Sequence, residues 1–221
     1  MKHLSFVLFL LLSLHGFSQR FSFVTAVSGL RNFSPGQKFW TIGQDFKMDI
    51  HLSEKQTLYL GFTYYREGKF RNSFETRAKS SSTIPQTIRY QVTSGWNMRE
   101  FSIGWKHYFV GSFDAETTWN LYGAAGFGIL FTKVTNTFNL SIDTALYQEA
   151  VRPAPGSGTF NRLTLDLALG YEYPLGGNFF IYGEARTWLP ASDYFSPYLH
   201  YNKKVPFPVM GNLGMRILFG D

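Results

Sequence analysis

The sequence contains no cysteine, which removes disulfide scaffolds, thiol catalysis, cysteine-ligated zinc and the lipidated cysteine of a lipoprotein. Charge is also scarce: 16% of residues are charged, against roughly 25% in ordinary soluble domains. Beyond the N-terminus no apolar run approaches the roughly 20 residues that a spanning helix requires, so a helical membrane protein is excluded. Disorder is excluded by 23 Phe, 13 Tyr and 5 Trp. What remains in these 221 residues is one aromatic-rich chain with 21 glycines and a net charge of +6, a composition that favours strands over helices.

Residues 1–18 read as a secretory signal peptide. Lys2 and His3 give the positive start, Leu4 to Leu14 the short apolar run, and Gly16 and Ser18 a small-x-small cleavage site. The mature chain is then 19–221, a single exported domain.

Alternation with a period of two dominates the mature chain. In Leu163–Tyr173 the odd positions are all Leu or Tyr, and the even ones include Asp166, Ala168, Gly170 and Glu172. Trp40, Ile42, Phe46, Met48, Ile50 and Leu52 alternate with Asp45, Lys47, Asp49 and His51. Similar runs predict eight strands at about 21–30, 39–53, 57–68, 98–110, 118–133, 162–174, 179–189 and 207–219. Short turns at 53–57, 111–117 and 174–178 alternate with long links at 69–97, 134–161 and 190–206. An even number of strands, with short turns at one end and long loops at the other, predicts an all-β, eight-stranded, antiparallel up-and-down transmembrane β-barrel.

The phase follows from cost. Turning the apolar face inward would place Asp45, Lys47, Asp49, Glu100, Lys106, Asp166, Glu172 and Arg216 in lipid, where each Lys or Arg near the midplane costs about 2–4 kcal/mol. The apolar face is therefore expected outside. Trp40, Tyr64 and Phe131 should form one interfacial girdle, and Phe109, Trp119 and Tyr173 the other. Because Ile88, Tyr90 and Val92 run in the opposite phase to Phe101 and Ile103, a bulge is expected near Trp96–Asn97.

On this pattern, and on the final strand Asn212-Leu-Gly214-Met-Arg-Ile217-Leu-Phe219, the chain resembles small outer-membrane barrels of the OmpA and OmpX type and the PorT-like generic barrel family. The resemblance implies an outer-membrane location with termini in the periplasm and long loops outside. It also implies lipid and lipopolysaccharide as surroundings, and the barrel-assembly machinery as a partner reading Asn212, Gly214, Ile217 and Phe219. Gly220 and Asp221 follow the terminal aromatic residue, whereas many family members end on it.

Candidate sites are few. Asp45, Asp49, Glu100, Asp166, Glu172 and Glu184, against Lys47, Lys106, Arg186 and Arg216, are expected to form a closed ion-pair network in the lumen, since a barrel of eight strands is filled by its side chains. Asp45, Asp49 and His51 have no distinctive metal-ligand spacing, and no cofactor is expected. Gly123-Ala-Ala-Gly126-Phe-Gly128 mimics a dinucleotide loop but continues as strand, so its glycines are expected to make room or permit bending. Arg66, Lys69, Arg71, Arg77, Lys79 and Arg89 make one external hairpin basic, suited to phosphate or acidic glycan; nucleic acid is not expected for an exported chain. His200 with Ser192, Ser196 and Asp193 permits a triad, without the local motifs of the barrel enzymes. The reading is a non-enzymatic barrel acting through its outer loops, or as a subunit of an envelope complex with other envelope proteins. A narrow pore and a lipid A-modifying enzyme are the alternatives.

Overall fold

The computed structural model describes residues 20–148, 153–191, 196–200 and 208–220. The expected signal peptide, with the start of the mature chain at Gln19, lies outside the described residues. Eight strands, β1 (Phe21–Asn32), β2 (Phe39–Ser53), β3 (Gln56–Arg77), β4 (Thr87–Val110), β5 (Asn120–Phe138), β6 (Gly156–Gly176), β7 (Phe179–Pro190) and β8 (Pro208–Phe219), follow one another in chain order. Each pairs antiparallel with its neighbour and β8 pairs with β1, which closes the barrel. Following the paired residues round the wall from Phe21 leads through Ile50, Leu58, Trp105, Ala125, Leu167, Thr187 and Val209 back to β1 at Arg31. That stagger requires strands tilted by roughly 35–45°.

The outer face is apolar over its middle, with Phe23, Phe46, Leu60, Phe101, Ile103, Phe127, Ile129, Leu163 and Leu213 exposed. Bulk is fitted inside by glycine. The Tyr59 ring crosses the bore against Gly104 and Gly126, where a Cβ on either would meet it, and Gly128 leaves room for the Glu100 carboxyl. The seam between the first and last strands is held by Phe21 and Phe219, stacked at 5.3 Å on the outer face.

Two expectations need correction. The link at 69–97 is largely strand and that at 134–161 is strand at both ends, because β3, β4, β5 and β6 run far beyond the apolar band while β1, β7 and β8 stop near it. The barrel therefore carries a tall wall on one side. The bulge lies on β3: Tyr65 pairs with Met98 and Gly68 with Trp96, so Arg66 and Glu67 face the single residue Asn97. Glu67 takes a left-handed φ of 60°, and its N–H donates to Asn97 Oδ1 at 3.0 Å. β4 itself keeps its pleat from Tyr90 to Tyr108 without interruption.

Candidate functional site

The lower bore collects charge. The Arg186 guanidinium on β7 reaches three carboxylates on three other strands: Asp166 at 2.6 Å, Glu100 at 2.8 Å and Asp45 at 3.3 Å. Lys47 bridges Glu184 at 2.6 Å and Asp45 at 3.3 Å. Lower still, Lys106 bridges Asp49 at 2.5 Å and Glu172 at 3.6 Å, and Arg216 meets Glu172 at 3.0 Å. All ten residues named for the lumen are thus brought into contact, and each is buried. The Thr63, Ser102 and Thr164 hydroxyls and the Tyr108 and Tyr122 phenols complete the set. Asp45 and Asp49 are committed to cations and His51 to Ser22 and Thr57, and no metal-holding group of three or more ligands occurs among the described residues. Beneath them Phe113 stacks on His51 at 4.1 Å, and its carbonyl accepts from Arg216, capping the short-turn end.

The upper bore is apolar. Leu30, Phe39, Tyr65, Phe70, Trp96, Met98, Val134, Phe160, Trp188, Leu199 and Met210 form one buried cluster. Most of these alternate in phase with the charged residues below; composition alone did not reveal the change, although Tyr90, Val92 and Trp96 carried the signal. A cavity of about 30 Å³ remains beside Leu30, Phe39, Trp96, Phe160 and Trp188, room for only a few water molecules.

Above the cluster the loops are tied to the tall wall. His200 Nδ1 accepts from the Asn72 amide at 3.1 Å, and its Nε2–H donates to Ser94 Oγ at 2.9 Å, whose hydroxyl donates onward to Asn136 Oδ1. This chain of donors sets the neutral Nε2–H tautomer. Burial alone pushes the imidazole down to about 4. With both nitrogens engaged and its ring on Phe74 at 5.5 Å, His200 anchors its loop. Ser192 and Asp193, its suggested partners, lie outside the described residues, as do Tyr194, Phe195, Tyr201 and Pro206. Ser196 is buried, and its hydroxyl accepts from the Tyr198 N–H within the same turn.

The six basic residues of the outer hairpin do not converge. Arg66 and Lys69 share Glu67, Arg89 takes Glu75, Lys79 donates to the Thr144 carbonyl, and Arg71 donates to Thr93. Arg77, fully outward, belongs to the tip of β3, where its carbonyl accepts from the Gln148 N–H. Two basic residues that the sequence reading missed, Arg99 and Lys133, sit on the outer wall beside Phe131. Their odd numbers put them in phase with Phe101 and Phe131, and that was the signal available.

In the final strand, Asn212 Nδ2 donates to Glu184 at 3.0 Å inside the bore, Gly214 leaves no room for a Cβ against Thr25 and Ala26, and Ile217 and Phe219 face outward.

No protein-family model matches the chain, and no curated protein does. Among solved structures the chain is similar to Neisserial surface protein A, with a TM-score of 0.55 at 10% identity over 92% of this chain and 98% of that one. It is also similar to Ail, the attachment invasion locus protein of Yersinia pestis, with a TM-score of 0.50 at 13% identity over 91% and 99%. The fold is that of a small eight-stranded outer-membrane barrel. At these identities the likeness establishes architecture alone, and it fits the even strand number and the apolar outer band.

Proposed function

We propose that the protein is an exported, non-enzymatic integral barrel of the bacterial outer membrane, with termini in the periplasm and the tall wall outside. Its bore is sealed, and it works by presenting that wall to a partner protein of the envelope or surface. The observation that carries this reading is that β3–β6 continue past the apolar band as a braced head. Tyr147 pairs with Ala78 and donates its hydroxyl to the Pro85 carbonyl; Thr76 donates to the Gln148 carbonyl; Asn136 Nδ2 donates to the carbonyls of Ala154 and Tyr198. A solvated loop needs no such bracing, whereas a recognition surface gains from it, because less ordering entropy is lost on binding. Ile84, 90% exposed at the hairpin tip, gives the head an apolar contact point.

Two stacked seals argue against a pore: ion pairs throughout the lower bore, aromatic rings above. The ion-pair network is assigned a structural role. The assembly machinery is the proposed reader of the final strand, with Phe219 on the outer face of the seam. The test compares native mass after mild detergent extraction for the intact protein and for a variant with residues 80–85 shortened to a tight turn. A stoichiometric complex that is lost in the variant supports the reading. A lone barrel in both overturns it, and discrete unitary currents in planar bilayers would restore the pore.

A further inference from the structure

Where the apolar band ends on the tall side, the outer wall changes character within one step of the ladder. Phe62, Phe101, Ile129 and Leu163 pair in sequence across β3 to β6. The next outward row toward the long-loop end is Tyr64, Arg99, Phe131 and Asn161, and above it Asn97, Lys133 and Thr159. These last seven residues, with Thr132, enclose a concave recess of about 520 Å³ on the outer surface. Arg99 is paired with Phe131, and Lys133 stands two residues beyond Phe131 on the same face. The two cations are therefore diagonal neighbours, with Cβ atoms on the order of 7–8 Å apart.

That arrangement is unfavourable for the protein alone. Like charges placed as cross-strand neighbours repel. Neither has a carboxylate partner among the described residues, and Glu67, whose N–H donates to the recess residue Asn97, is occupied by Arg66 and Lys69. Arg99 instead lies over the Tyr64 ring, 5.5 Å from its centroid, which fixes the guanidinium against the wall beside the recess. Two unneutralised cations, a phenol, two carboxamides and a threonine hydroxyl, set around an aromatic floor at the edge of an apolar band, match an anionic group carried at the surface of a lipid leaflet. A guanidinium and an ammonium together suit the tetrahedral oxygens of a phosphate.

We propose that this recess binds the phosphate of an outer-leaflet lipid headgroup, with Arg99 and Lys133 as its cationic contacts and Asn97, Thr159 and Asn161 as hydrogen-bonding neighbours. The proposal rests on the membrane placement given above. It differs from a diffuse basic loop because the two residues are fixed on strands at the height where headgroups begin.

The test is native mass spectrometry of the intact protein, released from non-ionic detergent with bisphosphorylated lipid A or its dephosphorylated form as probe. The wild type retains the bisphosphorylated probe and releases the other. Arg99→Gln with Lys133→Gln lowers retention about tenfold or more, the scale for losing charge-assisted contacts. A control, Arg77→Gln with Lys79→Gln, removes the same charge at the hairpin tip and leaves retention unchanged. Equal loss in both double variants, or loss in neither, overturns the site. Displacement by inorganic phosphate at a concentration equal to that of the probe overturns the lipid assignment in favour of a free-anion site. Heat-modifiable gel migration confirms that each variant is folded. Failure of the wild type to insert into phosphatidylcholine vesicles overturns the membrane placement itself, a different result from insertion without selective retention.

Discussion

The lower and upper halves of the bore are lined by the same strands, on β4 in one unbroken pleat, yet their chemistry is reversed. On β4 the inward residues are Glu100, Ser102 and Lys106 where the outer face carries Phe101, Ile103 and Trp105; further up they are Trp96, Val92 and Tyr90 where the outer face carries Asn97, Thr93 and Gln91. Nothing in the backbone of β4 changes between these stretches. What changes is the surrounding solvent. A strand in hydrocarbon turns its polar side chains inward and pairs them, whereas a strand in water buries its apolar ones. The crossover, between Phe101 and Asn97, marks the height at which the environment switches, and Arg99 sits on that line.

The two halves should respond differently to damage. The largest effect is expected below. Arg186→Ala leaves Asp45, Glu100 and Asp166, all buried, without their shared cation. A loss of about 5 kcal/mol, the upper end for breaking a buried pair, is expected because Glu100 and Asp166 are both orphaned, while Asp45 keeps Lys47. Urea titration in lipid vesicles measures it, with Arg186→Lys recovering part of the loss. If Arg186→Ala folds as stably as the wild type, the network does not hold the lower bore. In the upper half Trp96→Ala removes a ring packed on Phe39 and Phe160. About 3–4 kcal/mol is expected for the cavity. That loss should appear mainly as faster proteolysis of the tall wall, with insertion of the barrel retained; a barrel that no longer inserts would show that the two halves are not separable.

Sequence legibility divides along the same line. The lower barrel is readable because the two faces of most strands differ: on β6, Leu163, Leu165, Leu167 and Leu169 lie outside, Asp166 and Glu172 inside. The upper wall is misread because Tyr90 and Val92 look out of phase with Phe101, as they must when solvent, not pleat, has changed. Which cation meets which acid is not readable at all. Arg186 draws on β2, β4 and β6 together, and that meeting depends on strand tilt and closure of the ring. The dispersal of the six hairpin cations has a similar cause. Six positions close in sequence become a line along an extended strand pair, while Arg99 and Lys133, 34 residues apart, become neighbours.

Closure supplies a smaller test. Phe219→Ala removes the ring stacked on Phe21 across the β1–β8 seam, at a cost of roughly 1–2 kcal/mol, the scale for an aromatic pair with some lost burial. Folding into vesicles should slow while the bore, distant from the outer face, stays sealed. An unchanged folding rate would show that the stack forms only after closure. The same substitution should reduce assembly by the envelope machinery more than spontaneous folding, if the final strand is its signal.

The smallest effect concerns the latch over the upper bore. His200 is held neutral between Asn72 and Ser94, with Phe70 and Phe74 against its ring and no charged group among these contacts. Its folded value of about 4 lies below the ordinary 6.5, so the released loop binds the proton more readily than the docked one. Docking is therefore fully supported above about pH 6.5. It weakens as the pH falls, and loses this contribution entirely once the pH is below about 4. The ion pairs of the lower bore make no contact with the ring, so acidification in this window should open the latch before it disturbs the barrel. Amide exchange at Leu199 and His200, followed from pH 7 to pH 4, should accelerate relative to Glu184 and Arg186. His200→Gln, which cannot take up a proton, should flatten that profile. Parallel acceleration at all four positions would mean that the upper and lower bore open as one cooperative unit and that their division is chemical only.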